Sequence, residues 1–181
     1  MYEIFSSFSP LHLELAPGSR IINNFSDCFL FNLANRKEKD KIYFQQLDEM
    51  VLQSSSSPSM AIVVTDASIK NDIATSISYI HLVNHPLTKT VYHTAFVTSM
   101  EAELFAIRCG INQALTKDKM SKVVIVTDSI YAAKKIFDSK PHPYQSHTTA
   151  ILSKLCCFFN AKQENSIEFW ECPSHLKWRF H

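Results

Sequence analysis

Two short apolar runs constrain this chain more than any other feature: Ala61-Ile62-Val63-Val64 and Val123-Val124-Ile125-Val126. Each is too short for a buried helix and rich in β-branched residues, so each reads as a strand covered on both faces. Both run out in the same way, into Thr65-Asp66-Ala67-Ser68 and Thr127-Asp128-Ser129. A helical crossover between two such strands makes them parallel neighbours, with their carboxyl ends side by side. Two aspartates are thereby delivered to one sheet edge, where α/β sheets gather their ligands. Either aspartate alone reads as well as the cap of a following helix. The matched pair points to a shared site. Close carboxylates repel unless a cation sits between them or one stays protonated. A hard divalent ion with oxygen ligands is the natural resolution.

The chain around these runs reads as follows. Ile73 to Val83 and Lys89 to Thr98 are rich in β-branched and aromatic residues, and the stretch 84–88 separates them, which predicts an antiparallel hairpin. Ser99 is expected to cap a helix reaching Leu115, with Leu104, Ile107, Ile111 and Leu115 on its inward stripe. A helix from Ser129 to Phe137, a break at Pro141 and Pro143, a helix from Gln145 to Phe159 and a strand from Ile167 to Trp170 complete the pattern. The order β-β-β-α-β-α-α-β describes an α/β fold with a mixed sheet and helices packed on it. On the first helix Glu103 has only Ser99, Met100, Ala106 and Ile107 at helical spacing, and none is basic. It reads either as the edge residue of an amphipathic helix or as a third acid compensated from elsewhere in the fold. Glu101 reads as a solvated acid favoured near the helix start.

Before Met60 the signal weakens. Lys41 to Leu52 tracks one helical face, Pro17-Gly18 marks a turn, and Arg36 to Lys41 is a solvated charge run. The serine-rich stretch 54–59 reads as a flexible linker between an N-terminal appendage, 1–53, and a main domain, 60–181. The five cysteines form no metal-binding spacing and read as free thiols filling a core in a reducing compartment. A formal charge of +1 supplies no overall field toward polyanions, though a local groove needs none. No apolar run approaches the ~20 residues of a membrane span, and the N-terminus lacks the pattern of a secretory signal. The expectation is an intracellular protein, cytoplasmic or nuclear, with no membrane partner.

Taken in order, Val64-Thr65-Asp66-Ala67-Ser68, Thr98-Ser99-Met100-Glu101-Ala102-Glu103-Leu104, Val126-Thr127-Asp128-Ser129 and Trp170-Glu171-Cys172-Pro173-Ser174-His175 resemble a type 1 ribonuclease H, particularly those attached to reverse transcriptases of retrotransposons. The resemblance spans residues 60–176. It implies a ribonuclease H-like mixed five-stranded sheet, three antiparallel strands then two parallel, with helices on both faces. It implies an endonuclease acting on RNA–DNA hybrids, with Asp66, Glu103 and Asp128 as catalytic, metal-binding carboxylates. Two Mg²⁺ ions about 4 Å apart, or Mn²⁺ as substitute, would carry the hydrolysis. His175 takes the place of the family's mobile histidine, which helps product release. Ser68, Asn71 and Ser99 are candidate substrate contacts, and each reads otherwise as an ordinary turn or cap residue. Lys134 and Lys135 are candidate phosphate contacts or solvated helix lysines. Residues 1–59 would be a remnant of the stretch joining polymerase to nuclease, a reverse transcriptase segment.

This sequence departs from the family pattern at three places. Ala67 stands where the family has glycine, nothing after Cys172 is acidic where a fourth carboxylate is usual, and the loop after His175 lacks the glycine-rich continuation. The rival implied is a catalytically impaired nucleic-acid-binding module, a retroelement fossil lacking the fourth carboxylate. Integrases and transposases share the fold but place their glutamate after both aspartates, whereas Glu103 lies between them.

Overall fold

The computed structural model describes residues 29–32, 40–83, 87–95, 97–117, 119–138 and 140–172. Its strands are β1 (Phe29–Asn32), β2 (Met60–Lys70), β3 (Ile73–His81), β4 (Thr88–Ala95), β5 (Lys122–Thr127) and β6 (Ser166–Glu171). Its helices are α1 (Asp40–Ser56), α2 (Ser99–Leu115), α3 (Ile130–Ile136) and α4 (Gln145–Ala161). The strands form one sheet in the order β1-β6-β5-β2-β3-β4. β2, β3 and β4 pair antiparallel, and β2, β5 and β6 pair parallel, which is the expected five-stranded arrangement. A sixth strand, β1, pairs parallel with β6 and was not expected. At four residues it is too short for periodicity to show.

Alternation along the apolar runs explains why they are continuous. Ala61, Val63, Val123, Ile125, Ile167 and Phe169 pack under α2, α3 and α4. The intervening Met60, Ile62, Val64, Val124 and Val126 pack with Leu47, Met50 and Val51 of α1 on the other face. Each fully buried aliphatic side chain contributes about 1.5–3 kcal/mol, so a strand with both sides covered has no polar position to spare.

Three boundaries differ from expectation. The serine run is not all linker: α1 continues through Ser56, and the buried Ser54 hydroxyl donates to the Val51 carbonyl at 2.7 Å. That bond, with the inward face just before it, holds Ser54 in the helix. Helix α2 is capped by Thr98 rather than Ser99: the Thr98 hydroxyl accepts from the Glu101 N–H, and the Glu101 carboxylate accepts from the Thr98 N–H at 2.8 Å. This reciprocal arrangement satisfies two otherwise orphaned donors. Finally, β2 does not stop at its aspartate. It runs on to Lys70 against β3, and Asn71 and Asp72, both at positive φ (52° and 60°), turn the chain. Asn and Asp tolerate that conformation, the one a tight hairpin requires.

Candidate metal centre

Parallel pairing of β2 with β5 ends at Thr65 opposite Thr127. Asp66 is the next residue of β2 and Asp128 the first residue past β5, so the register sets them side by side. Thr65 lies under α2, within van der Waals reach of Gly110, and alternation turns Asp66 to the opposite face. Neither aspartate is a helix cap. Asp66 lies within a strand, and the N-cap of α3 is Ser129, whose N–H donates to Thr127 Oγ1 at 3.1 Å.

Glu103 reaches the same place from α2 because that helix lies unusually close to the sheet. A Cβ on Gly110 would collide with Val63 Cγ1 and sit 3.4 Å from Thr65 Cγ2. Ser76 of β3 donates its hydroxyl to the Ala102 carbonyl at 2.8 Å, pinning the helix one residue before Glu103. The Glu103 side chain is buried, and its Oε2 has no hydrogen-bond partner. One oxygen from each of Asp66, Glu103 and Asp128 lies within 4.8 Å of the other two. Burial, then the charges of Asp128 and Asp66, push the Glu103 carboxyl up to about 8. At neutral pH the bare trio therefore keeps a proton on Glu103, and a divalent cation can take that proton's place. An all-oxygen donor set of three acids with an orphaned buried oxygen fits a hard cation of the Mg²⁺ or Mn²⁺ type.

No protein-family model matches the sequence, and no curated protein is similar to it. Solved structures are. The N-terminal RNase H domain of a Mycobacterium tuberculosis protein, solved as a fusion with maltose-binding protein, superposes with a TM-score of 0.53 at 12% identity. The match covers 64% of this chain and 88% of that one. The fold is ribonuclease H-like. RNase H1 from the halophilic archaeon Halobacterium salinarum matches at a TM-score of 0.47 and 9% identity, over 61% of this chain and 83% of that one.

Within the ribonuclease H-like fold the other sequence candidates scatter. Ser68 is exposed on β2, two residues beyond Asp66 and on the same face. Asn71 sits in the β2–β3 turn, five residues from Asp66, or about 16 Å at ~3.3 Å per residue. Ser99 is exposed in the first turn of α2. Lys134 is exposed on α3, while Lys135 is paired with Asp138 at 2.6 Å. His175 lies outside the described residues. Of the cysteines expected to fill the core, Cys172 does, its N–H donating to the Thr127 carbonyl at 2.8 Å, whereas Cys109 and Cys156 are half-buried and Cys157 is exposed on α4. Burial, and then Asp128, push the Cys172 thiol to about 12, so it stays protonated. Among the described residues no helix is long and apolar enough to cross a membrane.

Sequence reasoning missed the residues that place Glu103. Gly110 carried a signal, since it is one of two glycines in the chain and stands in mid-helix. Thr98 and Glu101 carried another, the Thr-x-x-Glu spacing of a capping box. Ser76 carried none, because its partner is a backbone carbonyl distant in sequence.

Proposed function

We propose that this chain is a metal-dependent endonuclease that hydrolyses the RNA strand of RNA–DNA hybrids. The observation that supports it most is the convergence of Asp66, Glu103 and Asp128 from three separate elements, with their oxygens within 4.8 Å of one another. Three carboxylates this close, with Glu103 buried and the two aspartates half-buried, call for a cation or a retained proton between them. In this reading Asp66, Glu103 and Asp128 hold Mg²⁺, with Mn²⁺ as a substitute. Bound there, the cation supplies Lewis acidity and charge neutralisation for phosphodiester cleavage. Glu103 gives up its proton as the site loads, and the aspartates are held at fixed separation by the β2–β5 register. In the same reading Ser68, two residues along β2 from Asp66, and Ser99, four residues before Glu103 on α2, contact substrate, Asn71 contacts the strand farther out, and His175 assists product release.

The four motifs in family order support a retroelement origin for the domain, with the N-terminal residues derived from a reverse transcriptase segment. The experiment is cleavage of an end-labelled RNA–DNA hybrid in Mg²⁺ or Mn²⁺, beside the Asp66→Asn variant. Cuts confined to the RNA strand, dependent on metal and lost in the variant, are expected. Hybrid binding without cleavage in either metal would replace the endonuclease with a binding module.

A further inference from the structure

The sheet face that carries Asp66 continues, beyond the trio, onto the outer strands. Register across β2, β3 and β4 sets Asp66 beside Ile77 and Val91, and sets Ser68 beside Thr75 and His93 in the next row. The row before holds Val64, Tyr79 and Lys89, and the row after holds Lys70, Ile73 and Ala95. The helices over β3 lie on the opposite face, where Ala74, Ser76, Ser78 and Ile80 are buried. On the Asp66 face, Ile73 is 48% exposed and Val91 41% exposed. Among the described residues in these four rows Asp66 is the only acid, while Lys70 and Lys89 are basic and His93 presents an imidazole.

Two of these exposed groups are already oriented. Thr75 Oγ1 lies 3.1 Å from His93 Nδ1. With the threonine hydroxyl donating to Nδ1, the neutral ring carries its proton on Nε2, at the far side of the imidazole. Lys89 is held over the Tyr79 ring, 5.3 Å from its centroid. Strands spaced ~4.8 Å apart put His93 about 10 Å across the sheet from Ser68. Two hydroxyls and the free Nε2 side of an imidazole therefore form a polar track leading from the metal centre to the sheet edge.

We propose that the Ser68–Thr75–His93 row binds the ribose–phosphate backbone of the cut RNA strand, a few nucleotides from the scissile bond. This rests on the hybrid-nuclease reading of the trio, with which the face is continuous. Hydroxyl and imidazole groups suit 2′-hydroxyls and phosphate oxygens alike, and the flanking lysines match the polyanion's charge. Thr75 is a positioning residue, since it acts by orienting His93.

The test is fluorescence anisotropy of the full chain with a labelled RNA–DNA hybrid and with a DNA duplex of the same sequence, both in EDTA. His93→Ala and Thr75→Val are expected to weaken hybrid binding by about three- to tenfold each, as loss of one hydrogen bond would. The double variant should lose little more than His93→Ala, and DNA-duplex affinity should stay within about twofold. Single 2′-deoxy substitutions walked along the RNA strand should reveal a position that weakens wild type but not His93→Ala. Equal hybrid affinity in wild type and both variants, or equal losses on hybrid and DNA duplex, overturns the proposal, as does a wild type that binds no hybrid. Cleavage in Mg²⁺ separates the two readings. A wild type that shows the binding signature but never cuts keeps this track and loses the endonuclease. A wild type that cuts, with KM unchanged in both variants, keeps the endonuclease and loses the track.

Discussion

A carboxyl group buried between two others takes its charge only against resistance, and Glu103 is in that position. Its ordinary value near 4.5 is raised to about 8 by burial and then by Asp128 and Asp66. The folded, metal-free protein therefore binds a proton that the unfolded chain releases between those values, so its stability falls as pH rises from about 4.5 to about 8. Thermal denaturation in EDTA across that range is expected to show the fall, and Glu103→Gln, uncharged at every pH, to flatten it. Affinity for Mg²⁺ should run the other way, rising with pH toward 8 as the competing proton leaves. Calorimetric titration at pH 6 and pH 8 checks this, and equal affinities would contradict it. Glu103 was legible as an oddity, an acid beside an apolar stripe with no helical partner. Its place beside the stripe already pointed to poor access to water, but the depth of burial was not legible, because that depends on how closely α2 approaches the sheet.

At the scale of elements, that approach is set by α2 and its contacts with β2 and β3. Gly110→Ala forces a methyl group against Val63 and is expected to cost about 1–3 kcal/mol, as overpacking does. Because Glu103 rides on the same rigid helix, the variant should also bind Mg²⁺ more weakly, a loss that a surface substitution would not share. Thr98→Ala, which opens the reciprocal cap, is expected to cost about 1 kcal/mol in urea denaturation. It leaves Gly110 seated, so metal affinity should change less than in Gly110→Ala. Helix α2 was legible from its apolar stripe, while its cap is Thr98, one residue before the expected Ser99. The end of β2 was not legible. The apolar run stops at Thr65 because two-sided burial stops there, while pairing with β3 carries the strand on to Lys70.

For the whole molecule, the N-terminal region is part of the same fold as the residues after Met60. β1 adds a parallel strand beside β6, and α1 covers Met60, Ile62, Val64, Val124 and Val126. Deleting residues 1–56 is expected to expose that apolar face, and large exposed patches of this kind drive association. Light scattering and dye binding of the truncated chain would report it, and a monomeric, dye-silent product would count against it. The mixed sheet was legible from the hairpin and the helical crossover between the two apolar runs, and the arrangement of its five strands from the family resemblance. The contribution of the N-terminal region was not, since α1 is only weakly amphipathic in sequence and β1 is four residues long. The account stands on three acids sharing one cation. A crystal grown with Mn²⁺ and examined by anomalous scattering tests that most directly. An anomalous peak within coordination distance of Asp66, Glu103 and Asp128 is the result expected. A fully ordered trio with no peak among its oxygens at saturating Mn²⁺ would contradict it.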